Sequence, residues 1–94
     1  MVRVKVKFIS IVRERTGKNE VEFISSAQRL GDLLKEITEM HNIAEIILTE
    51  NGSKVRSWAR VLVNGRSHEF IGGLEVQLHD GDRLALIYPY TENF

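Results

Sequence analysis

Val2, Val4, Val6 and Phe8 alternate with Arg3, Lys5 and Lys7 at the start of the chain. In a pleated strand successive side chains point to opposite faces, so this period of two puts aliphatic groups on one face and cations on the other. A strand of that kind needs a sheet with one covered face and one wet face. The cover comes further along, where Leu30, Leu33, Leu34, Ile37 and Met40 recur at helical spacing, with Asp32, Lys35, Glu36 and Glu39 on the other side. The spacing predicts a helix whose apolar stripe lies on the sheet. His41-Asn42 supplies its stop, and Ser25 and Ser26 are its candidate N-caps, with a start anywhere from Ala27 to Leu30.

The remaining segments fill in an order. Ile11 to Gly17 reads as a short helical turn or loop, leading into a second strand over Glu20 to Ile24. Ile43 to Leu48 fits a short second helix, followed by a polar turn at Glu50-Asn51-Gly52-Ser53. Ala59 to Val63 is rich in β-formers and closes on Asn64-Gly65, a strong hairpin signal, with Arg66 to Glu69 as the return strand. Phe70 to Leu74 makes an irregular corner, and His79-Asp80-Gly81-Asp82 a tight turn. Arg83 to Tyr88 is then a final strand whose near-continuous apolar character predicts a central place in the sheet, and Pro89 ends its pairing. Strand, strand, helix, strand, short strand, strand is a β-grasp order. The expected class is α+β, a mixed sheet of four to five strands on one main helix.

Size and composition narrow the function. Ninety-four residues make one domain with one small core. We place that domain at residues 1–90, with a short tail over 91–94. Thirteen basic and thirteen acidic residues cancel, so no global field draws in nucleic acid or an anionic membrane. The chain has no cysteine, which removes disulfides, thiolate metal sites and cysteine nucleophiles. The N-terminus lacks a continuous apolar run, and no segment approaches the ~18 apolar residues of a membrane span. The expected location is the cytoplasm.

The phrases Val4-Lys5-Val6-Lys7-Phe8, Val12-Arg13-Glu14-Arg15-Thr16-Gly17, Leu30-Gly31-Asp32-Leu33-Leu34, Val61-Leu62-Val63-Asn64-Gly65-Arg66, Gly73-Leu74 and Leu78-His79-Asp80-Gly81-Asp82-Arg83-Leu84-Ala85 follow one another along nearly the whole chain. Taken in that order, they resemble the ubiquitin-like sulfur carriers of the MoaD/ThiS family. Its members include the small subunit of molybdopterin synthase and the sulfur carrier of thiamin synthesis. The resemblance implies a ubiquitin-like β-grasp fold and a protein partner: a molybdopterin synthase large subunit or an E1-like adenylyltransferase. It places the partner surface on the open sheet face plus the tail, at Phe70, Leu86, Tyr88, Pro89 and Tyr90. Tyr88 and Tyr90 bracket Pro89 in an extended segment, and they serve either as anchors in a partner's groove or as packing at the end of the last strand.

In the family a segment like Pro-Pro-Val-Thr-Gly-Gly follows the last strand. A partner enzyme adenylates its final carboxylate, a sulfur donor turns that into a thiocarboxylate, and a synthase takes the sulfur. Here Tyr88-Pro89-Tyr90-Thr91 fits the first four positions with two changes, and Glu92-Asn93 stands where the diglycine would, with Phe94 beyond. Glycine lacks a Cβ and threads a narrow channel. Glu92 adds a charge near ATP phosphates, and burying an unpaired carboxylate costs several kcal/mol, on the order of a thousandfold in binding. We therefore expect a protein-binding or regulatory module rather than a carrier, with Thr91, Glu92, Asn93 and Phe94 as the carrier position if the tail is active. The alternative is a working carrier for molybdopterin or thiamin with an atypical tail.

Other candidates read as structural. Gly72-Gly73 is the only diglycine, and cleavage there would delete the last strand and its core residues, so it reads as a backbone corner. His41, His68 and His79 have no metal-ligand spacing and are expected on the solvated surface. Asp80 and Asp82 around Gly81 read as turn chemistry. Trp58 between Arg56 and Arg60 forms either a cationic aromatic patch or a cover for the core edge, of which the second is preferred. We expect no catalytic residue, no metal and no cofactor, hence no enzyme, and a monomer or weak homodimer.

Overall fold

In the computed structural model, which describes residues 1–90, the alternating N-terminus forms strand β1 (Val2–Ser10). A short helix α1 (Ile11–Thr16) follows, ended by Gly17 in the left-handed conformation at φ 74°. Strand β2 (Glu20–Ser25) returns antiparallel to β1, with Val4 opposite Phe23 and Val6 opposite Val21. Helix α2 (Leu30–Met40) crosses the sheet, and helix α3 (Ala44–Ile47) turns the chain toward strand β3 (Arg60–Val63). Strand β4 (Arg66–Ser67) pairs with β3 through the Asn64-Gly65 turn, where both residues have positive φ as a tight hairpin requires. Single 3₁₀ turns at His68–Phe70 and Gly73–Glu75 lead to strand β5 (Arg83–Tyr88).

The sheet order is β2-β1-β5-β3-β4, with β5 parallel to β1 and antiparallel to β3. The last strand is thus central, as its apolar run predicts. This five-stranded mixed sheet under one main helix is a ubiquitin-like β-grasp. The core lies between one sheet face and α2: Val4, Val6, Phe8, Leu84, Leu86 and Val61 from the sheet meet Leu30, Leu33, Leu34 and Ile37 from the helix. No helix among the described residues is long and apolar enough to cross a membrane.

Several expectations are corrected. Met40 is 67% exposed and lies outside the apolar stripe; Thr38 is buried in the last turn and donates its hydroxyl to the Leu34 carbonyl at 2.6 Å. Neither serine caps α2. The N-cap is Arg29 without a side-chain bond, and the Leu30 N–H donates instead to the Val76 carbonyl at 3.0 Å. A neighbouring segment thus satisfies one donor that a capping side chain would otherwise serve. Ser25 ends β2, where it is buried, donates to Glu36 at 2.6 Å and accepts from the Ala27 N–H at 2.9 Å. The return strand is only two residues long, and its segment closes into a 3₁₀ turn that begins at the buried His68.

Candidate functional site

Alternation leaves the second sheet face without a helix. On it lie Arg3, Lys5, Lys7 and Ile9 of β1, Arg83, Ala85 and Ile87 of β5, and Arg60 and Leu62 of β3, in the registers Lys5–Arg83, Lys7–Ala85, Ile9–Ile87 and Leu62–Ala85. Glu20, Glu22 and Ile24 of β2 complete it, with Ile24 52% exposed. Ile9, Leu62, Ala85 and Ile87 are each partly exposed and form an apolar strip across the three inner strands. A strip with charged groups at its margins has the composition of a protein-docking surface.

At one end of the strip the chain leaves β5. The Tyr90 N–H donates to the Trp58 carbonyl at 2.7 Å, which lays the root of the tail against the approach to β3. The Arg60 guanidinium sits 4.8 Å from the centre of the Tyr90 ring and also pairs with the Glu69 carboxylate at 3.0 Å. Phe70, next in the chain after Glu69, is 88% exposed. Arg60 thereby ties the tail root to the 3₁₀ turn that displays Phe70, and an aromatic group held by such contacts loses little freedom on binding.

The residues expected at the partner surface divide. Phe70 is displayed to solvent, and Pro89 and Tyr90 are half-buried beside the open face. Leu86 is corrected: it faces α2, is fully buried, and has no surface to offer a partner. Its neighbours Ala85 and Ile87 carry the opposite parity and take the exposed positions. Tyr88 shares the parity of Leu86 and packs against the core. Thr91, Glu92, Asn93 and Phe94 lie outside the described residues. Trp58 is also corrected: at 61% exposed it does not cover the core edge. Ala59, Val61 and Val63 take the inward positions and Arg60 an outward one, while Trp58 lies in the turn before β3. Counting alternation back from Val63 gives the outward place of Arg60 from sequence alone.

The histidines divide too. His79 is exposed, as expected. His68 is not: only 5% exposed, it places Nδ1 3.3 Å from the Val61 carbonyl. Burial pushes its pKa below the usual 6.5, and the Arg60 charge adds to this. The Val61 carbonyl and the Glu69 carboxylate pull the other way. His41 is half-buried, edge-on to Phe8 with ring centres 5.2 Å apart, and its pKa is lowered by burial and then by Lys18. Among the described residues no cluster of three or more His, Asp or Glu side chains is placed to hold a metal.

The sequence matches the model of the ThiS family over residues 6–91. No curated protein matches it. The small archaeal modifier protein 1 of Methanosarcina acetivorans has the same fold, with a TM-score of 0.80 and 25% identity over 99% of this chain and 98% of that one. A chain of the Amycolatopsis orientalis BexX/CysO complex gives 0.76 and 25%, covering 96% of this chain and 99% of that one. A putative molybdopterin converting factor subunit 1 from Pyrococcus furiosus gives 0.73 and 26%, covering 96% and 100%. The family model spans almost the whole β-grasp, from the middle of β1 to the residue after the Tyr90 contact, and the chain belongs to the ThiS family of MoaD/ThiS-like ubiquitin-like proteins.

Proposed function

We propose that this chain is a protein-binding or regulatory module of the sulfur-carrier family, a partner of enzymes rather than an enzyme. It docks through the open sheet face and the tail root. Residues 1–90 form the docking domain, and residues 91–94 act as a short tail. The observation that carries this reading is the Arg60 junction, in which one guanidinium joins Tyr90 to Glu69 beside the exposed Phe70. The partner class is an E1-like adenylyltransferase or a molybdopterin synthase large subunit. Support comes from relatives that are described as a molybdopterin converting factor subunit and as part of a two-protein complex.

In this reading Glu92-Asn93, at the positions of the family's diglycine, keeps the module from forming a thiocarboxylate. A second reading, a working carrier with an atypical tail, is favoured by the family match running through Thr91. Intact-mass measurement after incubation with ATP, the activating enzyme of the same organism and a sulfur donor separates the two. The module reading expects an unchanged mass together with partner binding that Phe70→Ala weakens about tenfold or more, as loss of an interface anchor does. Replacement of one terminal oxygen by sulfur establishes the carrier instead.

A further inference from the structure

The open face has a second pole, away from the aromatic residues. At the Leu84 end of the strip, Lys5 and Arg83 lie side by side on adjacent strands, with Lys7 one step along the same face. All three are exposed. Among the described residues none of them has an ion-pair partner, whereas Arg3 pairs with Glu22 and Arg60 with Glu69. The acids of the adjoining turn are already engaged. Asp80 accepts the Arg3 N–H at 2.7 Å, and Asp82 accepts the His79 N–H at 2.8 Å and the Asn64 amide at 3.0 Å. On the edge strand Glu20 stands across from Lys7, and Glu22, the partner of Arg3, across from Lys5. The three cations and Glu20 rim a depression of about 180 Å³ that Leu62 and Ala85 also line.

Lys5 and Arg83 are like charges on neighbouring strands and repel, and the two carboxylates of β2 offset the group only in part, because Glu22 is paired with Arg3 and one acid, Glu20, is left for three cations. A chain whose total charge is zero therefore carries a local positive field beside an apolar strip. We infer that this pole selects an acidic-aliphatic protein segment: carboxylates pairing with Lys5, Lys7 and Arg83 while an aliphatic side chain fills the depression beside Leu62 and Ala85. The inference rests on the open face being the docking surface and names the chemistry of what docks. Charge complementarity argues for this occupant. Free phosphate gains nothing from apolar lining groups, and a nucleic acid finds no base-stacking ring here, since Trp58 and Tyr90 lie at the far end of β3 and β5. From Arg83 to Ile87 the strand rises roughly 13 Å, so the partner presents its acids about that far from the group that meets Ile87 and the aromatic pole.

The test is an NMR titration of the full chain with a synthetic peptide alternating Glu and Leu, alongside its Gln-for-Glu counterpart, inorganic phosphate and a short oligouridylate. The acidic peptide is expected to shift the amides of Lys5, Lys7, Leu62, Arg83 and Ala85, and to lose at least tenfold in affinity between 0.05 and 0.5 M salt as screening sets in. Equal binding of the Gln peptide, equal shifts from phosphate or oligouridylate, or no binding of the acidic peptide each overturns the inference. In parallel, the Lys7→Glu/Arg83→Glu double variant and Phe70→Ala are compared for affinity to the activating enzyme. Loss in both is expected. If Phe70→Ala weakens binding and the double variant does not, the acidic partner is wrong and the docking face stands; if neither does, the docking face falls as well.

Discussion

Strand β5 shows both faces of the sheet within six residues. Leu84 and Leu86 are buried against α2, while Arg83, Ala85 and Ile87, one step away in each case, look out from a face without a helix. The covered face is uniform: aliphatic groups with Phe8 and Phe23, and Ser25 brought in only because Glu36 and the Ala27 N–H satisfy its hydroxyl. The open face is divided, with cations at one end, an apolar strip in the middle and aromatics joined through Arg60 at the other. Burial gains free energy from any apolar group of the right volume, so it selects for sameness. Recognition needs features that differ from place to place. The division of the open face is therefore what separates a docking surface from an unfinished core.

The sharpest way to break this contrast is to truncate the same strand on each side. Leu86→Ala removes a fully buried side chain from the middle of the core and is expected to cost about 2–5 kcal/mol of unfolding free energy in urea titrations. Ile87→Ala, on the partly exposed side, should lose clearly less. Equal losses would mean that the open face is packed like the covered one. Next in size is Ser25→Ala, which leaves the part-buried Ala27 N–H without its acceptor and removes the bond to Glu36, for an expected loss of about 1–2 kcal/mol. An unchanged urea midpoint would show that water replaces the hydroxyl without penalty.

How far the sequence reveals these faces depends on how local each signal is. The periods of β1 and α2 are carried by neighbouring residues, and both elements form where their spacing places them. The Asn64-Gly65 turn is equally local. The missing N-cap is not, because the donor of Leu30 is met by Val76, forty-six positions away. In β5 the run Leu84-Ala85-Leu86-Ile87 is apolar throughout, so composition hides which side each residue faces, and a resemblance carried over without parity put Leu86 on the wrong one. Trp58 lies in the turn before β3, beyond the reach of strand parity, and its size points to the core edge although it is exposed. His68 leaves no trace in spacing. Its burial follows from the shortness of β4, a property of how the hairpin closes.

Below these losses lies a pH slope that tests whether His68 belongs to the covered interior. Its pKa is lowered in the folded protein, first by burial and then by Arg60, against the opposing pull of the Val61 carbonyl and Glu69. Between that lowered value and the ordinary 6.5 the unfolded chain holds more protons than the folded one. Stability is therefore full above 6.5, falls as pH drops through 6.5 toward the folded value, and levels off below it. His41 contributes in the same direction, by burial and the Lys18 charge. Urea midpoints between pH 7.5 and 5.5 should decline for the native chain and decline less for His68→Gln. An identical slope in the two would place His68 in contact with solvent.

The smallest effect is expected at the cationic pole, and there the sign matters more than the size. Arg83 contributes its backbone N–H to the Asn64 side chain at 2.9 Å, a bond that substitution of the side chain leaves intact. Its guanidinium has no carboxylate partner among the described residues and stands beside Lys5. Arg83→Gln keeps a long polar side chain on the strand and removes one of two neighbouring like charges. The unfolding free energy is thus expected to stay within about 0.5 kcal/mol of the native value or to rise slightly. Any rise should shrink as salt is added, because screening removes the repulsion that the substitution relieves. A loss of more than about 1 kcal/mol would mean that Arg83 holds the fold together, and the two faces of β5 would then differ in composition but not in purpose.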